Sequence, residues 1–301
     1  MSNLKSLNHH FAIPGHLTFI EGSGGLPIAR IQNGLASSDI ALQGAHILTF
    51  QPKGEEPVIW LSPQAKFAPG KSVRGGVPVC WPWFGNHATE AGFPAHGFAR
   101  TTDWRVIDSA ALPNGATRIT LELQKNAAAR AQWPHMCHLR NIITVGRELT
   151  IELVTQNTGG APFEITEALH TYFVIGDIDA VQITGLEGCE YLDKVDGFKR
   201  KSEPGAVTIT SEVDRVYLNT TADCIIHDQK LNRRIRATKT GSHSTVVWNP
   251  WTEKAQQMGD LGENGYRGMV CVESANAAEN AVIVAPSETH TLRAVYSVEK
   301  L

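Results

Sequence analysis

The feature that most constrains this fold is an alternation of apolar and polar residues with a period of two, the period of a β-strand. Short segments rich in β-branched residues carry the alternation, and turn-forming residues such as Gly, Pro, Asn and Ser separate them. These segments are 118–123 (RITLEL), 149–154 (LTIELV), 206–210 (AVTIT), 244–248 (STVVW), 269–272 (MVCV), 281–285 (AVIVA) and 291–298 (TLRAVYSV). The pattern predicts antiparallel strands packed in layered sheets.

Helix signals are few. The best candidate is 125–133 (KNAAARAQW), which Pro134 would end. Long helices do not alternate with the strands, so a doubly wound or (β/α)₈ architecture is disfavoured. No Gly/Ser-rich linker or internal repeat divides the chain, and strand patterns continue to its last residues. We therefore expect an all-β fold and a single domain over residues 1–301.

The charge balance restricts the partners. The chain has 27 Lys and Arg against 30 Asp and Glu, a net charge of −3, and lacks the basic patch that nucleic-acid binding requires. We interpret its densest basic stretch, Arg233, Arg234, Arg236 and Lys239, as the solvated face of a strand. No apolar run reaches the roughly 18 residues that span a bilayer, and the N-terminus lacks the apolar core of a signal peptide. We expect a cytoplasmic monomer without nucleic-acid or membrane partners.

The cysteine pattern argues against disulfides and thiolate zinc sites. Five widely scattered cysteines form no Cys-x-x-Cys pair. His135, Cys137 and His138 lie within four residues, but in an extended chain His138 points away from the other two. We therefore interpret this segment as the start of a strand and not as a metal site. No P-loop, Rossmann glycine fingerprint or G-x-S-x-G elbow is present.

A long segment dense in Gly, Pro and aromatic residues, 63–100, interrupts the strand pattern and is the expected location of a site. It contains Arg74, His96 and Arg100. Two further candidates are His170 in EALHTYF, which is either a core histidine or a catalytic one, and Glu273 in VCVESAN. A carboxylate that follows an apolar strand must be paired, or its pKa is raised. Glu273 is thus either half of a buried ion pair or a tuned acid or base.

Several aromatic residues are candidates for the apolar wall of a ligand site. For Trp81 and Trp83 we favour packing in the core. For Trp248 and Trp251 the sequence leaves both roles open, and Phe84 is a further candidate for the wall.

Six separated motifs, taken in order, resemble one known family. They are RGGVPVCWPWFG, HGFAR, NTGGAPFEITEALHTYF, DRVY, WNPWTEKAQQMGDLG and VCVESAN, and the similarity extends from about residue 28 to residue 298. The sequence resembles the D-hexose-6-phosphate mutarotase (glucose-6-phosphate 1-epimerase) branch of the aldose 1-epimerase superfamily. The resemblance implies a galactose-mutarotase-like β-supersandwich of large, mainly antiparallel sheets with few short helices.

The resemblance also implies an isomerase that interconverts the α and β anomers of a hexose 6-phosphate without a cofactor or metal. His170 is implied as general acid and Glu273 as general base. Arg74 and Arg100 are implied to hold the sugar phosphate, while His96 and Asp214 contact the sugar. The chemistry fits these residue types, because ring opening needs one proton removed from the anomeric hydroxyl and one delivered to the ring oxygen. We expect the two groups on opposite sides of the bond between C1 and O5.

Two other functions stay open. One is an enzyme of the same fold that acts on unphosphorylated aldoses. The other is a non-catalytic carbohydrate-binding sandwich.

Overall fold

The computed structural model describes residues 3–301, which form mainly β-strands. The helices are α1 (Leu4–Phe11), α2 (Ala127–Gln132) and α3 (Trp251–Met258). The strands are β1 (Leu17–Glu21), β2 (Pro27–Gln32), β3 (Ala36–Ala41), β4 (His46–Ile47), β5 (Gln51–Pro52), β6 (Val79–Cys80), β7 (Trp104–Ala111), β8 (Thr117–Leu123), β9 (Cys137–Val145), β10 (Leu149–Asn157), β11 (Phe163–Ile165), β12 (Glu167–Leu169), β13 (Tyr172–Val174), β14 (Val181–Thr184), β15 (Glu190–Asp193), β16 (Lys199–Ser202), β17 (Val207–Thr208), β18 (Val213–Tyr217), β19 (Cys224–Asp228), β20 (Arg233–Thr240), β21 (Ser244–Asn249), β22 (Met269–Asn276), β23 (Val282–Val284) and β24 (Thr289–Lys300).

Two large antiparallel sheets dominate the architecture. One has nine strands in the order β17-β14-β19-β20-β24-β10-β9-β8-β7. The other has eight, with β16-β15-β18-β21-β22-β12-β6 in order and β13 also paired to β22. A five-stranded sheet of β1 to β5 and the short pair β11-β23 complete the fold. The prediction of an all-β fold with large antiparallel sheets is confirmed.

The seven segments predicted as strands all contain strands, although 206–210 shortens to Val207–Thr208 at the edge of the nine-stranded sheet. The predicted helix at 125–133 is α2, which begins after Asn126, whose side chain accepts from the amide of Ala129 at 2.8 Å. The helices α1 and α3 were not predicted. Each has only eight residues and lacks the alanine-rich composition that marks α2.

The two large sheets pack face to face. Tyr296 of β24 contacts Phe173 of β13 edge-on at 5.0 Å, and its hydroxyl lies 2.6 Å from the Thr171 hydroxyl. The indole of Trp81 donates to Thr155 of β10 at 3.1 Å. One continuous cluster of buried side chains runs from Leu7 to Tyr296. This cluster supports the single domain expected for residues 1–301, which stays a prediction.

The interpretation of the basic stretch is wrong for two of its four residues. Arg233 and Lys239 are buried, at 2% and 8% exposure, because alternate residues of β20 face the protein interior. Carbonyl oxygens replace the lost water: Arg233 donates to Val174 at 2.8 Å and Lys239 to Ser244 at 2.7 Å. Burial lowers the pKa of Lys239 to about 8.

The segment His135 to His138 enters β9, as the sequence indicates. The Cys137 sulfur accepts from the Lys125 ammonium at 3.4 Å, and His138 lies 3.3 Å from Glu122. All five cysteines are free thiols. Within residues 3–301, no helix is long and apolar enough to cross a membrane.

Candidate active site

A cavity of about 300 Å³ opens on the face of the eight-stranded sheet that points away from the nine-stranded one. Strands of the sheet form its floor, while the 63–100 segment and α3 form its walls. All six residues predicted from the sequence line this one cavity: Arg74, His96, Arg100, His170, Asp214 and Glu273. The fold therefore brings together residues that are up to 199 positions apart in the sequence (Arg74 to Glu273).

Strand register places His170 beside Glu273. The pairs Leu169↔Ser274 and Tyr172↔Cys271 belong to one continuous antiparallel register, although the strand is interrupted between them. His170 consequently lies opposite Glu273, and its Nδ1 is 3.3 Å from Glu273 Oε1. Side chains that face each other across a sheet point the same way. The two groups therefore lie side by side on the cavity floor; their position on opposite sides of the C1–O5 bond of a bound sugar stays a prediction.

Burial dominates the electrostatics of this pair, since the side chains are 12% and 1% exposed. Burial lowers the pKa of His170 well below its usual value, and the nearby charges of Arg100 and Arg74 lower it further. Burial raises the pKa of Glu273 well above its usual value. Burial therefore favours a neutral imidazole next to a protonated carboxyl. The alternative, an imidazolium beside a carboxylate, holds the same single proton.

His96 is held by its own loop. Its backbone has a φ of +66°, and its Nδ1 accepts from the amide of Gly85 at 3.3 Å. Burial lowers the pKa of His96 to about 3, so the ring is neutral. A neutral ring that accepts at Nδ1 carries its hydrogen on Nε2. His96 thus offers a hydrogen-bond donor to the cavity.

Two glycines give the loop before the cavity its path and place Arg74. Gly75 has a φ of +99°, and a Cβ there would lie 2.7 Å from the carbonyl oxygen of Trp60. A Cβ on Gly76 would overlap the His46 ring, whose Nε2 donates to the Gly75 carbonyl at 2.8 Å. A side chain at Gly75 or Gly76 would therefore force this loop away from Trp60 or His46.

The two arginines differ in their partners. Arg74 Nε donates to Asp260 at 3.0 Å, and its Nη1 donates to the Tyr172 hydroxyl at 3.1 Å. Arg100 Nη2 donates to the carbonyl of Ala95 at 2.8 Å. Among residues 3–301, no carboxylate lies within ion-pair distance of Arg100. Its charge is consequently available to an anionic ligand.

Four further ionisable residues line the cavity and were not assigned from the sequence: Tyr172, Lys194, Lys254 and Asp260. Lys194 follows β15 and contacts Asp214 of β18 at 2.9 Å. Lys254 of α3 contacts Glu212 at 2.6 Å. Alternation could have identified Tyr172, because residues two apart on a strand share a face. The other three depend on contacts between distant segments.

Aromatic rings surround His170 beside Glu273. Tyr172 stacks on His170 with ring centres 5.0 Å apart and planes at 12°. Trp248 meets the His170 ring edge-on at 5.9 Å and lines the cavity together with Phe84. Trp81 and Trp83 pack in the core as expected, at 0% and 8% exposure. Trp251 packs on Tyr266 and does not line the cavity.

The antiparallel sheets and the cavity on one of them place this chain among the galactose-mutarotase-like β-sandwiches. A galactose mutarotase-like protein from Lactobacillus casei shares the fold, with a TM-score of 0.72 at 15% identity over 90% of this chain and 100% of that one. The sequence model of the aldose 1-epimerase family matches residues 27–297. The chain therefore belongs to the aldose 1-epimerase family.

Closer relatives extend the comparison. The chain is 38% identical over 271 residues to a protein of Escherichia coli K12 named "Putative glucose-6-phosphate 1-epimerase", covering 90% of each. It is 40% identical over 265 residues to a protein of the same name from Salmonella typhimurium, covering 87% of this chain and 88% of that one. A crystal structure titled as a "putative mutarotase" from Salmonella typhimurium has a TM-score of 0.89 at 36% identity, covering 97% and 96%.

Proposed function

We propose that this chain interconverts the α and β anomers of hexose 6-phosphates, with glucose 6-phosphate as the principal substrate. The observation that carries the proposal is one cavity with an imidazole and a carboxyl 3.3 Å apart on its floor and two arginines in its walls. The pair fits a reaction that only moves protons. The arginines fit an anion at the far end of the same substrate.

In the proposed mechanism His170 is the general acid and Glu273 the general base. Glu273 takes the proton of the anomeric hydroxyl while His170 delivers one to the ring oxygen, and the ring opens to the aldehyde. Both oxygens are bonded to C1 and lie close together. Two groups that lie side by side on the cavity floor can therefore reach them. Rotation about the C1–C2 bond exposes the other carbonyl face, and reclosure with the proton roles reversed gives the other anomer.

The buried environment strengthens both groups in these roles. An imidazolium whose pKa is lowered is a stronger acid, and a carboxylate whose pKa is raised is a stronger base. Ring opening converts the ion pair into the neutral pair, which is the form that burial favours. General acid–base catalysis contributes about 10² to 10⁴ per group, or roughly 3 to 5 kcal/mol.

Substrate contacts follow from the remaining residues. We assign Arg100 and Arg74 to the 6-phosphate, which carries about −1.5 to −2 charges at neutral pH. His96 would donate to the sugar through Nε2, and Asp214 would accept from sugar hydroxyls. Trp248 and Phe84 offer apolar surface for a ring face. The names of the curated relatives, which specify glucose 6-phosphate, support the same substrate.

Anomer exchange measured by NMR with glucose 6-phosphate and glucose side by side tests this proposal. We expect faster exchange for both sugars than in buffer, with a much larger kcat/KM for the phosphate. Equal values for the two sugars would favour an epimerase of unphosphorylated aldoses. Saturable binding of glucose 6-phosphate without any acceleration would instead indicate a binding protein and would refute the catalytic role.

A further inference from the structure

A buried thiol lies next to the pair that moves protons in the proposed mechanism. Cys271 precedes Glu273 by two residues on β22, so the two side chains share the cavity face of the sheet. One ligand atom each from His170, Cys271 and Glu273 lie within 4.8 Å of one another. We propose that these three residues form a binding site for a soft divalent transition-metal ion of the Zn²⁺ class, and that the bound ion inhibits the enzyme.

The spacing is close to that of a tetrahedral site. Zinc binds sulfur at about 2.3 Å and imidazole nitrogen or carboxylate oxygen at about 2.0 to 2.2 Å, so ligand atoms lie roughly 3.5 Å apart. His170 Nδ1 and Glu273 Oε1, at 3.3 Å, already fit. The ligand atoms that lie farthest apart, within 4.8 Å of each other, must approach by about 1 Å to reach this spacing. Small side-chain rotations within the site can supply this change.

Unsatisfied polar atoms point to a ligand at this place. His170 Nδ1 and Glu273 Oε2 are buried and have no hydrogen-bond partner. The 3.3 Å contact within the pair lacks hydrogen-bond geometry, so it does not satisfy His170 Nδ1. Buried polar atoms without partners are uncommon and costly. A metal ion would satisfy the imidazole nitrogen and the carboxylate together.

The three ligands would neutralise the charge of a bound divalent cation. Burial raises the pKa of the Cys271 thiol well above its usual value, so the empty site holds a neutral thiol. A metal ion displaces that proton and the one held by the His170–Glu273 pair, both of which pass to solvent, and it binds the thiolate, the neutral imidazole and the carboxylate. One thiolate and one carboxylate then neutralise the two positive charges. Of the nearby cations, Arg74 and Lys194 are already paired with carboxylates, at 3.0 Å and 2.9 Å, which limits their repulsion of the ion, whereas Arg100 has no carboxylate partner in the described part of the chain and opposes its binding.

The donor set selects the class of ion. Thiolate and imidazole favour Zn²⁺ and Co²⁺, whereas Mg²⁺ and Ca²⁺ prefer sites made of oxygen atoms alone. Three protein ligands leave a fourth position open, and two of the three ligands, His170 and Glu273, line the cavity. The ion and the anomeric end of a sugar would compete for that space.

Inhibition follows from the same contacts and rests on the proposed function. A metal bound to His170 and to the Glu273 carboxylate engages the two groups that exchange protons in the proposed reaction. Micromolar to millimolar Zn²⁺ should therefore stop anomer exchange, and a chelator should restore it. Metal binding itself is independent of the reaction and can be measured without substrate.

Binding is tested with Co²⁺ as a spectroscopic probe of the full-length, metal-stripped protein. We expect a cobalt–thiolate charge-transfer band in the wild-type protein that is lost in Cys271→Ala and retained in Cys224→Ala, the matched control with a buried thiol on β19. If Cys271→Ala does not fold, Cys271→Ser gives the same loss of the band. Co²⁺ binding without a thiolate band, or a band that survives the loss of Cys271, overturns the site.

Inhibition is tested on the same three proteins with Zn²⁺ in a non-chelating buffer. Cys271→Ala should keep its activity on glucose 6-phosphate and should need at least about tenfold more Zn²⁺ for half inhibition. Mutation of a residue that only supports a metal ligand already lowers metal affinity by about tenfold or more, so loss of a ligand should have at least that effect. The Cys224→Ala control should match the wild type. Equal inhibition of all three proteins would overturn the proposal. If none of the proteins catalyses anomer exchange, the proposed function fails while the cobalt band still decides the metal site.

Discussion

Replacement of Arg100 by alanine should raise KM for a hexose 6-phosphate relative to KM for the free hexose more than any other change in the cavity walls. Arg100 has no carboxylate partner, whereas Arg74 shares its charge with Asp260 at 3.0 Å. A hydrogen bond to a charged group contributes about 1.5 to 3 kcal/mol. At 1.36 kcal/mol per decade, Arg100→Ala should raise KM for glucose 6-phosphate by roughly 10- to 150-fold.

The free hexose lacks the phosphate, so its KM should change by less than about threefold in the same variant. The effect of Arg74→Ala should be smaller than that of Arg100→Ala, because the removal of Arg74 also frees Asp260. Arg118→Ala is the matched control, since it removes one positive charge from β8, outside the cavity. Anomer exchange followed by NMR at several concentrations of each sugar gives both constants. Equal losses for the two sugars, or a loss in Arg118→Ala as large as in Arg100→Ala, would refute the phosphate assignment.

Four further outcomes are expected. His170→Asn and Glu273→Gln should each lower kcat by at least about a hundredfold with little change in KM for glucose 6-phosphate; near-normal turnover in either contradicts the pair. Asp260→Asn should raise KM for the phosphate a few fold at constant kcat, because Arg74 loses its orienting partner; a fall in kcat alone would argue against that role. Gly97→Ala should lower the free energy of unfolding by at least about 1 to 3 kcal/mol in urea titrations, because φ is +70° and a Cβ would overlap a carbonyl oxygen; unchanged stability would contradict this. The pH profile of kcat should lie at higher pH for glucose 6-phosphate than for glucose, since bound phosphate offsets the cations that lower the pKa of His170; coincident profiles would refute the coupling.

Local pattern in the sequence predicts the strands well because it depends only on neighbouring residues. The alternation in 291–298 (TLRAVYSV), for example, lies inside β24, which spans Thr289–Lys300. The same rule could have corrected the interpretation of the basic stretch. Arg233 and Lys239 share the parity of the apolar residues Ile235 and Ala237, which places all four on one face of β20.

The arrangement of the site depends on contacts that local pattern does not contain. His170 and Glu273 meet because β12 and β13 share one register against β22, and their separation of 103 residues gives no hint of that pairing (170 to 273). The resemblance to a family supplied the two residues but not their pairing across the sheet. Lys194 and Asp260 were missed for the same reason, since each contacts its partner in the site from a distant segment of the sequence.

In the proposed mechanism, charge would couple binding of the phosphate to the protonation of His170 and Glu273. Arg74 and Arg100 lower the pKa of His170, so the empty cavity resists formation of the imidazolium. A phosphate bound between them would cancel much of that field and make the imidazolium easier to form. Tyr172 adds a direct physical connection, because it accepts from Arg74 and stacks on the His170 ring. A sugar without a phosphate would leave the cations uncompensated and the acid mostly unprotonated. Discrimination between the two sugars should therefore appear in kcat as well as in KM.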